Sequence, residues 1–242
     1  MRRWITLCAA VSVLAACVPP KPPPPRPTKD QIAARAAKQK RQVKAKTNDR
    51  HKKRTDGLKG GKLIFKDNFN RESLGVDWEV KLSGEWLIRD GKLVATRVQV
   101  YDDRNQGVWL KRQLPKKARV EFTARVKSGS GDMKCELFAR SASHEAGYSV
   151  IFGGWNNTIN TISRLGEHEP KRVIQRPHTP VKTGQSYRWA LVRTDNTLRW
   201  YLDGVYVAAY DDPSPVFGPY FGFNNWLSDV EFDDLAIYDL KQ

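Results

Sequence analysis

Cysteine is scarce in this 242-residue chain, with three in all, at positions 8, 17 and 135. Two of them fall in the first 17 residues, so the region after residue 60 holds Cys135 alone. No disulfide can brace that region, which must stand on an apolar core. Long apolar runs are also missing. The longest, residues 4–16, has 13 positions, against the roughly 20 needed to cross a hydrocarbon layer, and so excludes a spanning helix. A helical period is lacking beyond residue 60, which excludes bundles and alternating α/β folds. No glycine-rich phosphate loop and no nucleophile elbow occur, which removes nucleotide-dependent and serine-hydrolase chemistry. Histidine is rare, and His144, His168 and His178 show no metal-ligand spacing, so they read as surface residues in turns.

What is present first is a three-part start. Arg2 and Arg3 precede the apolar run, and Leu14-Ala15-Ala16-Cys17 closes it. A charged start and a short apolar stretch suit an export signal. The four closing residues resemble the lipobox of bacterial lipoproteins. That resemblance implies cleavage before Cys17, diacylation of its thiol, and attachment to a membrane of the bacterial cell envelope. Val18 stands where lipoproteins retained in the inner membrane often carry Asp, so the implied destination is the outer membrane. The expected organisation is a signal over residues 1–16, a lipidated linker over 17–60 and a folded domain over 61–242.

The linker has its own composition. Pro19, Pro20, Pro22 to Pro25 and Pro27 form a stiff polyproline stretch. From Thr28 onward it is basic and nearly devoid of apolar residues, the signature of disorder. Residues 18–60 hold 14 Lys and Arg against 3 acidic residues, whereas residues 61–242 hold 26 against 23. The linker therefore carries +11 of the net charge of +16. Without interleaved aromatics, and in an exported chain, this is not a nucleic-acid site. Anionic lipid or a polyanionic glycan near the membrane is the expected partner, and a spacer kept extended by its own charge is the alternative.

From residue 61 the apolar period is two. Val120, Phe122, Ala124 and Val126 alternate with polar residues, as do Met133, Cys135, Leu137 and Ala139. Cys135 is thus expected to be a buried, inert thiol. Asp90-Gly91, Asp195-Asn196 and Asp203-Gly204 supply hairpin turns between such runs. About 13 strands can be counted, which predicts an all-β jelly-roll sandwich of two antiparallel sheets. Asp67-Asn68-Phe69, Leu74-Gly75-Val76-Asp77-Trp78, Gly84-Glu85-Trp86 and Asp90-Gly91-Lys92-Leu93 resemble the opening of concanavalin A-like lectin/glucanase (laminin G-like) domains. Trp200-Tyr201-Leu202-Asp203-Gly204 resembles their late hairpin, and Val230-Glu231-Phe232-Asp233-Asp234-Leu235 their closing strand. The resemblance spans residues 61–240. It implies that Asp67 and Asp233 (or Asp234) on the first and last strands meet and hold a structural Ca2+, as in some relatives.

Laminarinase-type relatives carry catalytic carboxylates as Glu-x-Asp-x-Glu on one strand. Glu231-Phe232-Asp233 begins that pattern and Leu235 breaks it, while Glu121 and Glu136 read as lone carboxylates on solvated strand faces. No catalytic residue is assigned. A binding site is better supported. Gly153-Gly154-Trp155-Asn156-Asn157 joins a planar indole to amides beside glycines, with Arg164 nearby, and Asn224-Asn225-Trp226 repeats that chemistry. Indoles stack on sugar faces and amides offer both donor and acceptor. Trp109 and Arg140 complete the candidate set. The expectation is a lipid-anchored, lectin-like module that binds an envelope or extracellular glycan without catalysis. A glycoside hydrolase and an envelope protein-interaction module are the rivals. Paired carboxylates on the concave sheet would favour the former, and a flat apolar patch the latter.

Overall fold

The computed structural model describes residues 57–81, 85–96, 105–129, 131–176 and 179–241. The chain divides into two units, Met1–Asn48 and Asp49–Gln242. The first unit, with Cys17, lies outside the described residues, as do most of the linker and His178.

Among the described residues there are fifteen strands. In chain order they are β1 (Lys62–Asp67), β2 (Trp78–Val80), β3 (Glu85–Arg89), β4 (Lys92–Thr96), β5 (Asn105–Leu110), β6 (Ala118–Ser128) and β7 (Met133–Ala139). There follow β8 (Tyr148–Gly153), β9 (Ile159–Arg164), β10 (Arg172–Arg176), β11 (Ser186–Thr194), β12 (Thr197–Leu202), β13 (Val205–Asp211), β14 (Tyr220–Trp226) and β15 (Asp229–Asp239). The count exceeds the expected 13 or so because pieces such as the three-residue β2 are too short to show alternation. Two antiparallel sheets result. One runs β13-β12-β11-β6-β15-β4-β3 with β1 also on β15, and the other runs β10-β9-β8-β7-β14-β5-β2. This is the jelly-roll sandwich that the alternation and turns predict.

The turns form as their residues dictate. Asp90 and Gly91 link β3 to β4 with φ of 52° and 66°, and Asp203 and Gly204 link β12 to β13 with φ of 50° and 75°. Positive φ at both central positions matches the right-handed twist of the flanking strands. Between the sheets lies an aromatic core. Trp189 and Trp200 stack at 5.2 Å, Phe223 and Phe232 at 4.1 Å, and Phe122 meets both pairs. Each of these side chains is at most 1% exposed, and truncating one such ring costs about 3–5 kcal/mol. Cys135 is buried in this core, and burial pushes its thiol well above the usual range, as an inert cysteine requires.

The second sheet departs from the expected pattern. Its outward positions should be solvated, yet Lys134 is 1% exposed and Glu136 is 0% exposed. Glu136 is therefore no lone carboxylate on a wet face. Register places it beside Ser149 of β8 and Gly222 of β14, on a sheet face that also carries Trp109, Ile151, Thr161, Ser163 and Asn224, all buried. The 141–147 and 165–171 connections bring His144 and Glu167 onto this face. Buried charge is tolerated only when paired, so this face concentrates the polar chemistry of the domain. Glu121, by contrast, keeps a half-buried place between Arg119 and Arg188 on the first sheet.

Candidate functional site

A cleft of about 290 Å3 is lined by Asp132, His144, Glu145, Trp155, Glu167, His168 and Trp226. It sits where β7 starts and β8 and β14 end, because Met133 pairs with both Phe152 and Asn225. Trp226 closes β14 on the same face as Asn224, two residues earlier. Trp155 arrives from a left-handed turn, Gly154–Asn157, directly after β8. Trp155, Asn156 and Asn157 have φ of 49°, 56° and 61°. A tryptophan in this region is uncommon and costs roughly 1 kcal/mol or more, so neighbouring contacts must hold it. They do: Asn157 donates to the Val181 carbonyl at 2.9 Å and accepts from the Val181 N–H at 2.8 Å. Gly153 precedes the turn with φ 75°, where an added Cβ would lie 2.5 Å from the Val181 side chain. The Trp155 ring carries the Arg172 guanidinium 3.7 Å from its centroid and meets the His168 ring edge-on.

The buried floor is a charge network. Lys134 Nζ lies 2.6 Å from Glu167 Oε1 and 3.9 Å from Asp132 Oδ1. The His144 ring spans two carboxylates, with Nδ1 at 2.6 Å from Glu136 Oε1 and Nε2 at 3.2 Å from Glu167 Oε1. Ser149 Oγ donates to Glu136 Oε2 at 2.9 Å, and the Asn224 amide sits 3.2 Å from His144 Nδ1. Burial pushes Asp132 up to about 6, although Lys134 pulls it down. Burial acts the same way on Glu167, but Lys134 and His144 outweigh it and hold that carboxyl below its usual range. On Lys134 burial would lower the pKa, and the surrounding carboxylates reverse this and raise it. His144 is likewise raised, the bond to Glu136 overcoming the cost of burial.

The candidates picked from sequence separate into two groups. Trp155 and Trp226 converge on one cleft. Asn224 reaches its buried floor rather than its rim. The others do structural work. Trp109 is 1% exposed and lies flat on Gly222, so it packs instead of facing a ligand. Asn225 is fully buried and donates to the Ser228 carbonyl. Asn157 pins the turn, Asn156 is exposed on it, and Arg140 is exposed in the loop after β7. Arg164 ties Asp212 at 2.8 Å and the Ser214 carbonyl at 2.6 Å. The Ca2+ expectation does not fit its residues. Asp67 already accepts from Arg71, the Trp78 indole and the Phe69 N–H, and Asp233 accepts from Lys92 at 2.6 Å. Sequence reasoning missed Asp132, Lys134, Glu136, His144, Glu145, Glu167 and His168. The only hint was that two charges, Lys134 and Glu136, sit on a strand whose neighbours are strongly apolar.

No family model and no curated protein sequence matches this chain. Solved structures do. A Bacillus subtilis protein of unknown function with a galectin-like fold superposes with a TM-score of 0.61 at 13% identity, over 74% of this chain and 97% of its own. A carbohydrate binding module from Bacillus subtilis gives 0.53 at 14% identity, over 67% and 96%. A laminarinase from Flavobacterium gives 0.56 at 14% identity, over 74% and 100%. At such identities the likeness is one of fold, and it agrees with the strand order and the two-sheet core. The folded part of this chain has the concanavalin A-like β-sandwich fold.

Proposed function

We propose that the domain binds carbohydrate in the cleft between Trp155 and Trp226, and that the chain is held at a bacterial envelope membrane by lipid on Cys17. One observation carries the first part. Two tryptophans from distant segments, one on a left-handed turn, line a single cleft backed by buried carboxylates and a histidine. Such a cleft offers apolar faces for a sugar ring and charged acceptors for its hydroxyl groups. Its size lies at the lower end of small-ligand sites, which suits one or two sugar rings at a chain end rather than a long groove. Carbohydrate binding modules, lectin-type domains and glucanases among the structures of the same fold support this reading. The anchor rests on the residues around Cys17 alone.

A second reading has its own support. One oxygen of Glu136 and one of Glu167 lie within 4.8 Å of each other and of a ring nitrogen of His144. Retaining glycosidases place their two carboxyl groups about 5–5.5 Å apart, so hydrolysis in the same cleft is the alternative. A glycan-array screen of the detergent-solubilised full chain tests binding, and incubation with each bound glycan tests cleavage. Retention of at least one glycan without release of reducing ends supports the binding reading. Release of reducing ends that Glu136→Gln and Glu167→Gln abolish establishes the second. Retention of no glycan at all refutes both.

A further inference from the structure

We propose that His144, Glu136 and Asn224 hold a divalent transition-metal ion beside the cleft, with Glu167 orienting the histidine. The argument begins with the ring. His144 Nε2 faces Glu167 Oε1 at 3.2 Å, and a neutral ring with its proton on that side is the tautomer a metal ion would select. Nδ1 then presents its lone pair, 2.6 Å from Glu136 Oε1 and 3.2 Å from the Asn224 amide. At that distance from a carboxylate oxygen a cation must sit between the two atoms, either a proton on Nδ1 or a metal ion in its place. Glu167 is itself committed to Lys134 at 2.6 Å, which makes it the outer partner of the histidine rather than a ligand.

A second observation concerns Asn224. It is fully buried, and its Oδ1 has no hydrogen-bond partner. The amide oxygen and nitrogen exchange places by a half-turn of the side chain, and that turn brings Oδ1 to the histidine. An imidazole nitrogen, a carboxylate oxygen and an amide oxygen would then converge on one point. Ligand atoms about 2.0–2.2 Å from one ion and about 90° apart stand roughly 3 Å from each other, and the spacings here are 2.6 and 3.2 Å. Ser149 Oγ on Glu136 Oε2 supplies the outer bond that holds the carboxylate in place. One nitrogen with two oxygens suits Zn2+ or Mn2+, whereas Ca2+ prefers oxygen ligands alone. Three protein ligands leave coordination positions free, and His144 lines the cleft, so those positions are next to the space a ligand would enter.

The test is equilibrium dialysis of the chelator-stripped full chain against Zn2+ and, separately, Mn2+, with bound ion counted by elemental analysis. One ion per chain is expected, each metal displacing the other and Ca2+ displacing neither. Glu136→Gln keeps the size of the side chain and should weaken binding at least tenfold, as should Asn224→Ala. His51→Ala and Cys17→Ser, outside the site, should leave it unchanged. Far-UV circular dichroism confirms that each variant is folded. If Glu136→Gln does not fold, the comparison passes to Asn224→Ala, in which Zn2+ should no longer raise the melting temperature as it does in the unaltered chain. No retained ion at millimolar metal overturns the proposal, and so does equal affinity in the folded site variants. In either case His144 carries only a proton between two carboxylates.

Discussion

Replacing Asp132 by asparagine should make the domain more stable at neutral pH, which is the reverse of the usual result for a buried aspartate. Asp132 is 6% exposed, its Oδ1 accepts no hydrogen bond, and its nearest cation, Lys134 Nζ, is 3.9 Å away and already paired with Glu167. Burial pushes the carboxyl from 3.8 up to about 6. Below pH 4 it is protonated in both folded and unfolded chains, so the variant and the parent differ little. Between pH 4 and 6 the unfolded chain ionises and the folded chain does not, and stability falls as pH rises through that window. The full gap is worth about 3 kcal/mol, or a melting shift of roughly 6–12 °C for a domain of this size. Asparagine escapes this penalty and tolerates the left-handed backbone at this position, where φ is 66°. The assay is thermal melting of the parent and Asp132→Asn in chelator from pH 3.5 to 8. The difference should be near zero at the acid end and should favour the variant above pH 6. A flat difference, or a less stable variant at pH 8, would show that pairing with Lys134 offsets the cost of burying the Asp132 carboxylate.

Three further outcomes follow from the same contacts. Trp109→Ala should cost about 3–5 kcal/mol and leave glycan binding in the folded protein intact, because Trp109 packs on Gly222 away from the cleft rim; melting and binding measured together check this. Asp67→Asn should destabilise at pH 7, and the deficit should close as pH falls below 3.8. Burial raises the Asp67 carboxyl, but bonds from Arg71, Trp78 and the Phe69 N–H outweigh it and hold the group below its ordinary value, so its stabilisation is lost on protonation. Cys17→Ser should remove the protein from the membrane fraction in high salt, since a basic linker alone gives only salt-sensitive attachment; unchanged fractionation would exclude the anchor.

The features legible in the sequence are those set by neighbours a few residues away. Asp203-Gly204 fixes a hairpin turn through its own φ angles, and the alternation from Val120 to Val126 fixes which face of β6 enters the core. The second face of β7 is not legible in this way. Lys134 and Glu136 read as solvated because a period of two describes which side a residue takes, not what covers that side. Their burial depends on loops that deliver His144 and Glu167 from separate connections. For the same reason the histidines show no ligand spacing along the chain. Repeated local chemistry singles out Trp155 and Trp226, but their convergence is not readable from alternation; the fold brings both strand ends to one opening. The asparagines mislead, because Asn is equally useful as a turn former: Asn157 pins a left-handed turn, and Asn225 caps the bend before Ser228.

The central claim, a sugar cleft walled by two tryptophans, is tested most directly by calorimetric titration of the array-selected glycan into the full chain, Trp155→Ala and Trp226→Ala. Both indoles are only partly buried, so each variant should melt within a few degrees of the parent while losing at least tenfold in affinity. Undiminished affinity in both variants would place the glycan elsewhere on the sandwich and contradict the account.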